Sequence, residues 1–215
     1  VDGPVRNFRH PHVDLNVQAA VLMRDIPDNP VAEGFGTFSG RASHSAEPGL
    51  RLEGHVEGNQ LAFFSRQFSV RGVQVTGEAV MTPKTVAAKQ LRVSSPYGDW
   101  SGSGELTNWS RFELQGKADR IALDRLQATY LSKQYPWNAS LTGPVAFGGE
   151  LSAAGLRNAH GEAVLDITPR EGELPVEGQL DVNWNQSTGK VGLNSSYLAT
   201  AGARLNLQGT LGEKL

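Results

Sequence analysis

One short phrase recurs along this chain: apolar, polar, glycine, polar, apolar. It occurs as Phe38-Ser-Gly40-Arg-Ala42, Leu52-Glu-Gly54-His-Val56, Val75-Thr-Gly77-Glu-Ala79 and Leu114-Gln-Gly116-Lys-Ala118. It returns as Leu141-Thr-Gly143-Pro-Val145, Ala159-His-Gly161-Glu-Ala163, Val176-Glu-Gly178-Gln-Leu180 and Leu207-Gln-Gly209-Thr-Leu211. Residues i, i+2 and i+4 of a strand share one face. Each phrase is therefore a strand whose apolar face lacks a side chain at its middle. The central glycines fall at irregular intervals. That spacing argues against a solenoid of fixed rung length and fits antiparallel strands joined by hairpins of varying length.

Alternation predicts strands at 13–17, 34–42, 50–57, 61–70, 73–81, 86–94, 98–107, 111–119, 139–147, 161–168, 174–184, 189–197 and 203–211. The clearest runs from Leu174 to Trp184, with Pro175, Glu177, Gln179, Asp181 and Asn183 on its wet face. At about 3.3 Å per residue it spans roughly 35 Å, long for a strand in a globular protein. One stretch breaks the period. Leu123, Leu126, Tyr130 and Leu131 recur at helical spacing, Asp124 is a candidate N-cap and Pro136 a stop, so a short helix is expected over 124–134. Ala19 to Met23 reads as one further helical turn. Nothing resembling a linker divides the chain, so residues 1–215 read as a single continuous segment of a larger protein.

A sheet that is apolar on one side buries that side against a second sheet, against itself, or against an apolar guest. Glycine at strand centres trims the inner face and permits sharp bends. A sandwich core favours large side chains there instead. The expectation is an all-β fold of long antiparallel strands in one strongly curved, U-shaped sheet with an apolar groove. The groove is lined by Phe38, Leu52, Val56, Val75, Leu114, Leu141, Val145, Phe147, Val176, Leu180, Val182, Leu207 and Leu211. Its central glycines are Gly40, Gly54, Gly77, Gly116, Gly143, Gly178 and Gly209. The competing reading makes the same residues the closed core of a β-sandwich.

Charge and chemistry narrow the function. The chain has 20 basic and 22 acidic residues with no basic stripe, which argues against a nucleic-acid partner. It has no cysteine, so a disulfide scaffold and a thiolate metal site are excluded. His10 and His12 alternate without the further ligands a metal needs. Trp100-Ser-Gly-Ser-Gly104 lies within a strand, not at the strand-to-helix turn of a nucleophile elbow. Arg51, Glu53, His55 and Glu57 alternate along a strand exterior, where cross-strand charge pairing accounts for them. No catalytic residue, cofactor or metal is expected. No stretch approaches the ~20 apolar residues of a membrane helix.

Several segments resemble the translocation-and-assembly-module (TamB) and AsmA-like proteins of the bacterial envelope. They are Leu91 to Leu106, Gln115 to Leu123, Tyr135 to Gly143 and the tail Ala203 to Gly212. The resemblance implies a periplasmic β-groove in a protein held to the inner membrane by a segment outside this sequence. It implies phospholipid acyl chains as the cargo, neighbouring β segments of the same protein as contacts and an outer-membrane β-barrel as partner. The role is then lipid conduction or outer-membrane assembly. Moving an acyl chain of about fifteen methylenes through water costs roughly 12 kcal/mol, which a dry trough removes. The alternative is a secreted carbohydrate-binding or adhesin-like module, with Tyr97, Trp100, Trp109, Trp137 and Trp184 as its stacking surface.

Overall fold

The computed structural model describes residues 5–6, 12–25, 31–45, 49–64, 69–130, 137–152, 155–171 and 174–212. They form β1 (Val5–Arg6), β2 (His12–Leu22), β3 (Val31–Ser45), β4 (Gly49–Phe64), β5 (Ser69–Met81), β6 (Thr85–Ser95) and β7 (Gly98–Thr107). There follow β8 (Arg111–Ala122), α1 (Leu123–Tyr130), β9 (Trp137–Ser152), β10 (Gly155–Pro169), β11 (Leu174–Pro175), β12 (Glu177–Asn185), β13 (Lys190–Thr200) and β14 (Ala203–Gly212). The fold is all-β. Strand order follows chain order from β1 to β14 in one large sheet, and only β11 leaves the path, pairing parallel with β9. The chain divides into two units, Val1–Pro96 with Gly102–Phe112, and Tyr97–Ser101 with Glu113–Leu215.

In the first unit the antiparallel register gathers the alternating residues onto two unlike faces. Leu15, Ala42, Leu52 and Met81 stand in one row across four strands, and Ala19, Phe38, Val56 and Gly77 in another. Directly opposite residues project to the same side, so these rows make one apolar face. The reverse face carries Gln18, Ser39, His55, Glu78 and Lys89, again in one row.

The second unit repeats the plan. Phe147, Gly161, Trp184 and Val191 share a row, as do Val145, Ala163, Val182, Leu193 and Gly209, and Leu141, Ile167, Gly178, Leu198 and Leu205. The other side carries Ala146, Glu162 and Asn183 in one row and Val164 with Asp181 in another. Helix α1 closes one end of the apolar face. Leu123 and Leu126 pack on a cluster of Ala139, Leu141, Ile167 and Val176.

The glycines do not form one straight line. Gly40 meets Gly54, but Gly77 stands opposite Val56, Gly178 between Ile167 and Leu198, and Gly209 opposite Leu193. Each gap is set against bulk on the next strand. At Gly161 a Cβ would come within 3.2 Å of the Phe147 ring, which stacks with Trp184 at a centroid distance of 6.3 Å. Bare backbone at Gly161 lets the two rings meet across it. The register breaks instead at bulges near Gln60, Gln90 and Asn158, all at positive φ. Bulges bend a strand and increase its twist.

Four local expectations are corrected. Residues 19–22 continue β2, and only Met23–Asp25 form a 3-10 turn. The predicted strand 61–70 is not one element among the described residues: β4 runs through a bulge at Gln60 to Phe64, β5 starts at Ser69, and 65–68 lie outside the described residues. The predicted strand 174–184 is broken at Val176, where Pro175 has no N–H to give the ladder and Val176 turns into the core at 3 % exposure. The predicted helix is present from Leu123 to Tyr130, and its predicted end, 131–134, lies outside the described residues. Asp124 sits within the first turn, not at the cap. There its carboxylate suits the positive helix end and pairs with Arg170 at 3.2 Å.

The Gly40–Gly54 pair yields a test. A Cβ on either residue would fall within 2.6 Å of the opposite glycine's Cα. Gly40→Val is expected to cost about 1–3 kcal/mol, the range for overpacking, read as a lower urea midpoint. Gly202→Ala, in an open turn with no neighbour within 4 Å, should leave the midpoint where it is.

Candidate functional site

The candidate surface is the apolar face of each unit, and its outstanding property is how little covers it. Among the described residues no large side chain is fully buried. Seven of the twelve buried apolar residues are alanines, Ala42, Ala62, Ala79, Ala118, Ala122, Ala139 and Ala159.

The predicted lining residues fall into two groups. Leu141 and Val176 are buried, at 7 % and 3 %, in the cluster under α1, where the protein itself fills the space. Leu180 packs partly against the same cluster. Phe38, Leu52, Val56, Val75, Leu114, Val145, Phe147, Val182 and Leu207 are half-buried. Position 211 belongs to the register of β14, opposite Val191, but its side chain lies outside the described residues. Gln115 and Glu177, read as facing water, are exposed.

The second unit also carries a cavity of about 650 Å³ that sequence reasoning did not find. Gln115, Pro144, Ala146, Glu162, Val164, Asp181, Asn183 and Asn194 line it, all on the polar side. Gly116, Val145, Ala163 and Val182 of the apolar alternation also border it. Asn194 donates to Asp181 at 2.8 Å. Beneath, the buried Ser196 hydroxyl accepts from the Asp181 N–H at 2.8 Å and donates to its carbonyl at 3.2 Å. This bond seals the ladder where β13 bulges against β12. The bulge depends on the pairing of three strands, so no single strand announces the cavity.

The aromatic residues have separate employments. Trp184 is stacked on Phe147 within the apolar face. Trp109 lies at the tip of a turn, 58 % exposed, with its indole N–H bonded to the Pro83 carbonyl at 2.8 Å. The Thr107–Ser110 turn has positive φ at both Asn108 and Trp109, the geometry of a tight two-residue hairpin. The Trp137 side chain lies outside the described residues, as do His10 and the His12 side chain. No group of three or more metal-ligating side chains occurs among the described residues.

On the polar face of the first unit, His55 holds two carboxylates. Its Nδ1 lies 3.0 Å from Glu78 and its Nε2 3.4 Å from Glu57. Ser39 stands opposite His55 in the register. Because Nε2 is turned to Glu57, the row is a charge network and not a nucleophile–base pair. The chain matches no known protein family, no curated protein and no solved structure.

Hydrogen bonding to Glu78 raises the His55 pKa above 6.5; slight burial opposes it, and the charges of Glu78 and Glu57 add to it. A raised folded value means the pair contributes its full stability below about pH 6.5. It loses that contribution as pH climbs through the higher folded value. An NMR titration should place the His55 midpoint above 6.5, and Glu78→Gln should lower it. A midpoint unmoved by that substitution would show the pair to be idle.

Proposed function

We propose that this chain is a non-catalytic lipid-conducting element whose apolar faces receive acyl chains, each unit's sheet bending into a trough. The partial exposure of Phe38, Leu52, Val56, Val145, Phe147 and Val182 carries this reading. A sandwich would place a second layer on those faces and bury large side chains, whereas here the buried core is mostly alanine. In the second unit the guest surface begins beyond α1, at Val145, Phe147, Val182, Trp184 and Leu193. The bulges supply the means of bending. The division into polar and apolar faces supports a headgroup in water with its chains against the sheet.

Contact with alkyl chains is non-directional, so the surface accepts many lipids in place of one. Alanine and glycine between the large residues leave shallow furrows for methylenes to lie in. On this reading the chain works in the periplasm of a bacterial envelope, between inner and outer membranes, with an outer-membrane β-barrel at the far end of the route.

Photocrosslinking from a phospholipid with a reactive acyl tail tests the proposal on the purified chain. Phe38→Arg and Val182→Arg should each lower labelling of their own unit about tenfold, since a charge is costly against hydrocarbon. Gln115→Arg and Glu177→Arg, on the wet face, should leave it unchanged. Equal effects from both pairs, with folding intact by circular dichroism, would remove the lipid surface.

A further inference from the structure

The polar side of the second unit holds hydrogen-bonding groups that the protein leaves unused. The cavity of about 650 Å³ is floored by Pro144, Ala146 and Val164 and walled by Gln115, Glu162, Asp181, Asn183 and Asn194. Register makes the hollow. Ala146, Glu162, Asn183 and Gly192 stand in one row across four strands. On one side of Glu162, Ala146 offers only a methyl. On the other, Asn183 leans away over bare backbone, for a Cβ at Gly192 would lie 2.5 Å from the Asn183 side-chain oxygen.

Among the described residues the side chains of Gln115, Glu162 and Asn183 have no hydrogen-bond or ion-pair partner, and the Asp181 carboxylate has only Asn194. No basic side chain lines the cavity among them. Other carboxylates of the chain do face a cation or a histidine: Glu113 faces His160, Glu78 faces His55 and Asp124 faces Arg170. The cavity therefore carries two carboxylates and two free amides over an apolar floor, with nothing of its own to satisfy them.

The geometry points to a binding site for an amino sugar: a short oligosaccharide with free ammonium groups. Its volume falls within the roughly 300–1,000 Å³ of small-molecule sites. An ammonium group answers Glu162 and Asp181, which lack a cation. Ring hydroxyls donate to amide oxygens and accept from amide N–H groups, so they meet Gln115 and Asn183 in both roles. The C–H face of a sugar ring lies on Pro144, Ala146 and Val164. A lysine side chain or a linear polyamine would meet the carboxylates but leave the amides without partners. The site is on the side opposite the proposed lipid surface, and neither reading requires the other.

Calorimetry on the purified chain with a glucosamine trisaccharide tests it. The trisaccharide should bind with a Kd below about 1 mM. Its N-acetylated form, a glucose trisaccharide and spermidine should each bind at least about tenfold more weakly, lacking either the charge or the ring. Glu162→Gln should weaken the trisaccharide about tenfold, and Ala146→Leu, which raises the floor, should weaken it as much. Glu105→Gln removes a carboxylate outside the cavity and should change nothing. The comparison of probes needs no variant, so it decides even where a substitution disturbs folding. Failure of the glucosamine trisaccharide to bind, equal binding of the glucose trisaccharide or spermidine, or equal losses at Glu105 and Glu162 would overturn the proposal.

Discussion

The structure depends on a steric exchange between neighbouring strands: bulk on one is met by bare backbone on the next. Val56 with Gly77, Leu198 with Gly178 and the Phe147–Trp184 stack over Gly161 are instances of it. A face built only of leucine, valine and phenylalanine would stand tall and call for a second layer. A face of glycine and alanine alone would have too little apolar area to hold its strands. Alternating the two keeps the face apolar and shallow. At Gly40 and Gly54 the exchange reaches its limit, where two strands approach with no side chain on either side.

A shallow face gives a thin core. Most of the buried apolar residues are alanines, each contributing little transfer free energy, so the ladders and cross-strand pairs must hold much of the sheet. The polar side is built for that task. His55 bridges Glu57 and Glu78, Asp181 holds Asn194, Gln179 reaches Asp166, and Ser196 ties down the bulge. These bonds are individually worth little in water, but all except His55–Glu57, which lies within β4, cross strands and fix register, on which the two-faced arrangement rests. The thickest packing lies where α1 covers Leu141, Ile167 and Val176, the one place where a helix gives the sheet what a second layer would.

The all-β class was legible because a period of two needs only neighbouring residues to declare it. So was α1, whose leucines at 123 and 126 break that period. What failed depended on partners. The strand 174–184 alternates perfectly in sequence, yet Pro175 has no N–H for the ladder, and Val176 falls between two strand segments while packing with Ala139, Leu141 and Ile167. Gly58, Asn59 and Gln60 look like a turn between two strands, but a bulge carries one strand through them. For the candidate surface, which residues share a face could be read from parity. Which of them are already covered could not: Leu141 and Leu114 occupy equivalent places in their phrases, and only the first lies beneath a helix. The cavity beside Glu162 and Asp181 was hidden for the same reason, since it arises where three strands disagree in register.

This division of labour explains why an apolar surface can remain open without the sheet coming apart. In a sandwich the same contacts hold the fold and fill the interior, so vacating the interior costs stability. Here register is fixed from the polar side and by backbone pairing, and the apolar side is relieved of that duty everywhere except under α1. On the proposed reading, an apolar guest would add stability with the logarithm of its concentration over its dissociation constant, and its departure would return the sheet to a state its own hydrogen bonds sustain. A surface of this kind would bind without folding around its ligand and release without unfolding, which is what the proposed conduit needs and a storage pocket does not.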